Sequence, residues 1–78
     1  MIDIREVEEL REQPLPSDNA RHLPLAQLLT GAQLPAEGRY LLICAHGVRS
    51  LAAARELRSR GLQDVYSLRG GVHGLRTG

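Results

Sequence analysis

The stretch YLLICAHGVRSLAAARELRSRG, residues 40–61, predicts a strand, a short loop and a helix in immediate succession. Its first five residues form an apolar run without polar alternation, which is typical of a strand buried on both faces of a parallel sheet. Cys44, the single cysteine of the chain, stands at the end of this run. The unit therefore predicts an α/β fold with Cys44 at the carboxyl end of a strand, where ligands bind in such folds.

The segment SLAAARELRSRG, residues 50–61, is the strongest helix prediction in the chain. Three apolar side chains recur at helical spacing and predict one face: Leu51, Ala54 and Leu57. Ser50 is the predicted N-terminal residue, because a serine hydroxyl can accept a hydrogen bond from a backbone N–H of the first turn. Gly61 is the predicted C-terminal stop, because glycine tolerates the left-handed conformation that ends many helices.

The remaining segments alternate in the same way. Three predict strands: MIDI at 1–4, the brief ARHLP at 20–24, and DVYSL at 64–68. Two predict short helices: REVEELREQ at 5–13, whose acidic residues form a solvated face, and LAQLLTG at 25–31, which ends at Gly31. VHGLRTG, residues 72–78, is predicted to be a tail with at most one helical turn. Strands linked through helices predict a parallel sheet with right-handed crossovers.

Composition narrows the class of protein. The 78 residues are 42% hydrophobic, which indicates one globular domain spanning 1–78. A net charge of +1 gives no indication of a nucleic-acid or membrane partner. All ten basic residues are arginine, which excludes Schiff-base chemistry on a lysine of this chain.

The single cysteine and the N-terminus bear on cofactors and location. One cysteine cannot form an internal disulfide, and no Cys/His cluster has zinc spacing. MIDIREVEEL lacks the apolar core of a signal peptide, and no apolar run approaches the ~20 residues of a membrane span. A cytoplasmic location is the expectation.

The loop CAHGVRS, residues 44–50, has the composition of a site for a reactive thiolate. Gly47 lets the backbone curl, and a curled loop that enters a helix directs successive amide N–H groups inward as a nest for an anion. Arg49 adds a permanent positive charge. In such a field the pKa of a cysteine thiol, about 8.5 when free, can fall to roughly 3.5–7.5, and the thiolate is the nucleophile.

At these residues the chain resembles the rhodanese (sulfurtransferase) family. The pattern Cys-x-x-Gly-x-Arg-Ser, between a hydrophobic strand and an Ala/Leu-rich helix, is similar to the active-site loop of that family. Other matches follow the family's order: Asp3 and Arg5 for its Asp-x-Arg pair, Ala20, Leu23 and Pro24 for its Ala-x-x-Ile-Pro segment, and Gly70 and Gly71 for its Gly-Gly turn. The resemblance covers nearly the whole chain.

The resemblance implies a reaction and a role for each matched residue. Cys44 would attack a small sulfur donor such as thiosulfate or a persulfide, carry the sulfur as a persulfide, and pass it to an acceptor thiol, cyanide or a sulfur-carrier protein. The loop residues would bind the substrate: Ala45, His46, Gly47, Val48 and Arg49. The structural residues near the site would be Asp3, Arg5, Ser50, Gly70 and Gly71. No cofactor or metal is implied.

Two other functions are alternatives to a sulfurtransferase. The domain could be a sulfur-relay module that hands persulfide sulfur only to a specific protein. Phosphatases and arsenate reductases of the superfamily have a loop one residue longer than the six residues from Cys44 to Arg49, which argues against that activity. His46 is predicted to be a solvent-exposed or wall residue rather than a general base. His22 and His73 are predicted to be structural or exposed, with His73 near the entrance as the lesser alternative.

The chain also departs from the family pattern. It starts at the Asp-x-Arg strand, without the strand and helix that precede it in a typical domain of the family. We therefore expect a reduced rhodanese-like fold with a small parallel sheet of about four strands flanked by helices. The edge left by the missing element would be open to pairing with another chain. The alternatives are that the sequence is a piece of a larger protein or a minimal natural variant of the domain.

Overall fold

The structure is a computed structural model that describes residues 1–30, 34–35 and 37–77. Within these residues, strands and helices alternate along the chain. They are β1 (Ile2–Asp3), α1 (Val7–Glu12), β2 (Arg21–His22), α2 (Leu25–Thr30), β3 (Arg39–Ile43), α3 (Val48–Ser59), β4 (Asp64–Ser67) and α4 (Gly71–Thr77). None of the described helices combines the length and the apolar character needed to cross a membrane.

The strands form one four-stranded sheet in the order β2-β1-β3-β4. All three pairings are parallel, with Ile2 opposite Leu42 and Tyr40 opposite Val65. This confirms the prediction of a parallel sheet of about four strands. Because parallel strands share a direction, the carboxyl ends of β1, β3 and β4 meet at one edge of the sheet, and the loop that contains Cys44 leaves from that edge.

Helix α3 packs on the sheet with the predicted face at Ala54 and Leu57 but not at Leu51. Its buried residues are Ser50, Ala53, Ala54 and Leu57, spaced as one helical stripe. Leu51, predicted on that face, is 43% exposed. The prediction was wrong at Leu51 because the stripe is completed by a serine, and Ser50 was treated as a terminal residue outside the pattern.

The start of α3 also differs from the prediction. The helix begins at Val48, and Gly47 precedes it with φ of 93°. Ser50 is therefore the third residue of the helix and not its cap. The left-handed turn at Gly47 brings the chain into helical geometry sooner than the sequence indicated, so the loop between β3 and α3 is short and tightly curled.

The other differences are local. β3 is buried at Leu42 and Ile43 but exposed at Arg39, so it is not buried along its whole length. α4 spans seven residues, whereas at most one turn was predicted. Its first turn is held because the N–H of Val72 donates to Cys44 O at 2.9 Å. The predicted helix end at Gly31 lies outside the described residues.

Strands β2 and β4 form the two edges of the described sheet. On β4, the Arg58 guanidinium donates to the carbonyl of Val65 and lies over the Tyr66 ring, 5.5 Å from its centroid. A cationic side chain that occupies an edge carbonyl hinders pairing with another strand there.

Candidate active site

The Cys44 sulfur lies at the focus of the loop between β3 and α3. Its Sγ accepts hydrogen bonds from the N–H of Gly47 at 3.1 Å and from the N–H of Ser50 at 3.4 Å. The chain can direct these amides inward because Gly47 adopts a positive φ that other residues avoid. Of the cradle predicted for Ala45 through Arg49, the amide of Gly47 contacts the sulfur directly, and Ser50 completes the cradle.

The thiol is buried, yet its surroundings lower its pKa. Cys44 is only 1% exposed. Burial raises the pKa of the Cys44 thiol. Hydrogen bonds from the Ser50 side chain and from the amides of Ser50, Gly47 and His46 lower it by a larger amount, so the net pKa lies below the usual value. The site therefore stabilises a negative charge on sulfur chiefly through local donors.

Arg49 forms an ion pair that the sequence did not reveal. Its Nη1 and Nη2 donate to Glu9 Oε1 at 2.7 Å and Glu9 Oε2 at 2.6 Å, a bidentate contact. The hydrogen bond from Arg49 holds the pKa of Glu9 at about 2. The acidic face of α1 is thus not wholly solvated as predicted, since Glu9 turns toward the loop and balances its cation.

The Gly-Gly turn packs against the cysteine loop. Gly71 has φ of 62°, and a Cβ built on it would clash with the carbonyl oxygens of Cys44 and Ala45. A Cβ on Gly47 would approach Gly70 N at 3.0 Å. The two turns therefore approach at backbone contact distance, which explains why glycine is needed on both sides.

Asp3 and Arg5 form a buried ion pair at the carboxyl end of β1. Arg5 Nη2 lies 2.7 Å from Asp3 Oδ2, and the side chains are 1% and 0% exposed. The carbonyl of Arg5 bonds the His22 ring at 2.6 Å, and its guanidinium also reaches Pro14 O at 3.4 Å. Arg5 thus connects the end of β1 to β2 and to the segment that precedes β2.

The other two histidines lie together at the outer surface of the loop. His46 and His73 stack with ring centroids 4.3 Å apart and an interplanar angle of 17°. Both residues are exposed. Next to them is a cleft of about 370 Å³ whose lining includes His46, Val48, Leu51, Ser67 and Arg69. Of the substrate-binding residues predicted, His46, Gly47 and Val48 line this cleft, whereas Arg49 turns to Glu9.

Known proteins are similar to this chain in both sequence and fold. The rhodanese-like domain family matches residues 1–77. A tRNA sulfurtransferase of Desulfurococcus amylolyticus is 40% identical over the whole chain, and the thiosulfate sulfurtransferase GlpE of Coxiella burnetii is 33% identical over 91% of it. The chain spans 15% of the first relative and 65% of the second.

Solved structures agree with the sequence relatives. A rhodanese-related protein from Thermoplasma volcanium superposes with a TM-score of 0.81 and 32% identity, covering 99% of this chain and 76% of that one. A rhodanese-like domain protein from Staphylococcus aureus gives a TM-score of 0.78 at 29% identity, covering 92% of this chain and 69% of that one. With a curled cysteine loop at the carboxyl end of a parallel strand and a family match along nearly its full length, this chain belongs to the rhodanese-like domain family.

Proposed function

We propose that residues 1–78 act as one sulfurtransferase domain in which Cys44 carries sulfur. The Cys44 thiolate attacks the sulfane sulfur of a donor, and the donor's S–S bond breaks. The leaving group, sulfite when the donor is thiosulfate, departs with the electron pair. The resulting persulfide is attacked at its outer sulfur by an acceptor nucleophile, which returns Cys44 to the thiolate.

The observation that carries this proposal is the convergence of the Gly47 and Ser50 amides on Sγ at 3.1 and 3.4 Å. Backbone N–H groups aimed at one sulfur stabilise negative charge there without any metal or cofactor. The same donors favour the thiolate before attack and a persulfide anion after it. A single cysteine without a disulfide partner in the chain is typical of a reducing compartment, so we propose a cytoplasmic location.

The donor is proposed to be either thiosulfate or a persulfide. The guanidinium of Arg49 is already balanced by Glu9, at 2.6 Å between Nη2 and Oε2. A small dianion therefore gains less from Arg49 than an unpaired arginine would offer, and a persulfide donor relies less on that charge. The similarity to a tRNA sulfurtransferase and to a thiosulfate sulfurtransferase supports sulfur transfer in general.

A second function is favoured by the pairing of Arg49 with Glu9. Because the guanidinium is already balanced at 2.6 Å, the loop attracts small anionic donors and acceptors weakly. A specific protein partner supplies further contacts of its own, which describes a sulfur relay that loads sulfur and hands it to one partner. Such a module would turn over poorly with cyanide.

The deciding experiment is intact mass after brief incubation with thiosulfate, or separately with a small-molecule persulfide, on wild type and Cys44→Ser. A gain of one sulfur atom in wild type alone, reversed by cyanide, supports the sulfurtransferase. A gain that cyanide cannot remove supports the relay. Equal gains in Cys44→Ser would overturn the role of Cys44, and a folded wild type that no donor loads would contradict both functions.

A further inference from the structure

Two serine hydroxyls lie between α3 and β4 where the neighbouring side chains are aliphatic. Val65 and Ser67 alternate with the exposed Tyr66 along β4, so both point toward α3. Ser50 lies on the buried stripe of α3 that also includes Ala53. Hydroxyls placed between such elements cost free energy unless they are hydrogen-bonded, which makes their partners informative.

The hydroxyls bond each other and connect to the nucleophile. Ser50 Oγ lies 2.5 Å from Ser67 Oγ and 3.5 Å from Cys44 Sγ. Both hydroxyls are also within reach of the Gly47 carbonyl, Ser50 at 3.3 Å and Ser67 at 3.4 Å. Ser67 lines the cleft beside the loop. A continuous path of polar atoms therefore runs from the buried sulfur through two hydroxyls to solvent.

Each serine hydroxyl has a single proton, so the direction of this path depends on the state of the sulfur. With a thiol, the S–H donates to Ser50 Oγ, Ser50 donates to Ser67 Oγ, and Ser67 donates to water in the cleft or to the Gly47 carbonyl. With a thiolate, Ser67 donates to Ser50 and Ser50 donates to Sγ. Three successive proton transfers along the path, which together release one proton to solvent, convert the first arrangement into the second.

We propose that Ser67 is a positioning residue for the nucleophile, which carries the Cys44 proton outward together with Ser50 and then holds the Ser50 hydroxyl toward the thiolate. The thiol proton moves to Ser50, the Ser50 proton moves to Ser67, and the Ser67 proton moves to a cleft water. Every bond broken is replaced, and both hydroxyls end as donors toward the negative sulfur. Successive hydrogen bonds in such a chain strengthen one another.

Charged groups around the thiol do not offer an equivalent route. Arg49 of α3 is held by Glu9 of α1, and Asp3 at the end of β1 is held by Arg5. The imidazoles of the loop and of α4 stack on each other at the outer surface. The proposal rests on Cys44 being the nucleophile of the proposed function, but it concerns only ionisation of the thiol and makes no use of sulfur transfer.

The test is the pH dependence of Cys44 alkylation by iodoacetamide, followed by intact mass. The chain has one cysteine, so every adduct reports this thiol. In Ser67→Ala the midpoint should rise by about 0.5–1 pH unit, because the hydrogen bond that holds the Ser50 hydroxyl toward the thiolate is lost. Ser67→Thr, which keeps the hydroxyl, should restore the wild-type midpoint. Ser59→Ala, which removes a hydroxyl from the exposed face of α3, should leave it unchanged.

A second pair of variants keeps the proposal testable if Ser67→Ala does not fold. Ser67→Thr and Ser67→Val have nearly the same volume and differ in the hydroxyl, so their comparison decides the matter if Ser67→Ala unfolds. A higher midpoint for Ser67→Val than for Ser67→Thr supports the role proposed for the Ser67 hydroxyl. Coincident midpoints for the folded variants with and without the hydroxyl would overturn it. Persulfide loading from the mass experiment is a separate readout, so failure of the Ser67 proposal and failure of sulfur transfer are distinguishable.

Discussion

Arg49 of the cysteine loop and Glu9 of α1, forty positions apart in the chain, share two hydrogen bonds of 2.7 and 2.6 Å. The pair fixes the guanidinium beside the loop and cancels its charge. It therefore acts in two ways at once, as a clamp between α1 and α3 and as a limit on the attraction of anions to the site.

The clamp predicts a pH-dependent contribution to stability. The pKa of Glu9 is about 2 in the folded state, below the ~4.3 of a free glutamate. The pair should therefore stabilise fully above about pH 5 and lose this contribution as the pH falls toward 2. Because the side chains are 38% and 32% exposed, we expect only about 0.5–1 kcal/mol.

Urea unfolding of wild type and Glu9→Gln between pH 7 and pH 2.5 measures this contribution. The difference between the two should shrink on acidification. Glu8→Gln, which makes the same charge change at the exposed neighbouring position, should match wild type throughout. A difference that is constant with pH would contradict the assignment.

The charge balance predicts an effect on the donor. In Glu9→Gln the Arg49 charge is no longer cancelled, so loading of Cys44 from thiosulfate at low salt should be faster by about two- to fivefold. The gain should fade as ionic strength rises. Intact-mass time courses at low and high salt measure it, and a slower Glu9→Gln at low salt would show that holding Arg49 in place matters more than freeing its charge.

The buried Asp3–Arg5 pair predicts a large loss of stability when it is broken. Arg5→Met leaves the Asp3 carboxylate, 0% exposed, without its cation, and we expect a cost of about 3–5 kcal/mol. Arg39→Met removes the same side chain from a contact of 3.8 Å with Asp64, where Arg39 is 88% exposed, and should cost less than about 0.5 kcal/mol. Urea midpoints compare the two variants, and a loss for Arg5→Met as small as that expected for Arg39→Met would mean that the buried pair is dispensable.

Substitutions at two glycines with positive φ, Gly71 at the site and Gly61 after α3, should have different outcomes. A Cβ at Gly71 would clash with the Cys44 carbonyl, so Gly71→Ala should cost about 3 kcal/mol and impair alkylation of Cys44. At Gly61, φ is 111° but no atom lies within 4 Å of the Cβ position, so Gly61→Ala should cost about 1 kcal/mol and leave the thiol unaffected. Thermal midpoints measure the loss of stability in each variant, and alkylation rates show whether the thiol is affected. Equal effects of the two substitutions on both measurements would contradict the clash at Gly71.

The His46 imidazole is expected to have no effect on ionisation of the Cys44 thiol. Its amide, not its imidazole, contributes to the lowered pKa of Cys44. His46→Ala should therefore keep the wild-type pH dependence of alkylation. A shifted midpoint in that variant would assign the imidazole, or its stacking on His73, a part in ionisation of the thiol.

The sequence predicted the elements whose cause is local. The apolar run before Cys44 forms β3, and the glycine two positions before Arg49 curls the loop, because backbone conformation and amide direction depend on the next few residues. The parallel sheet followed from the alternation of strands and helices. The errors arose where an element met its neighbour: α3 began earlier and buried Ser50 in place of Leu51, and α4 was longer because its first N–H groups bond carbonyls of the cysteine loop.

By itself, then, the sequence determined that a cysteine loop lies at the carboxyl edge of a parallel sheet, since those features are written in contiguous residues. Only the tertiary structure decided which charges are free and which are paired. Glu9 meets Arg49, and Ser67 meets Ser50, because α1 and β4 pack against α3 in a particular register. Such contacts between distant segments depend on packing of the whole core, which no local pattern encodes.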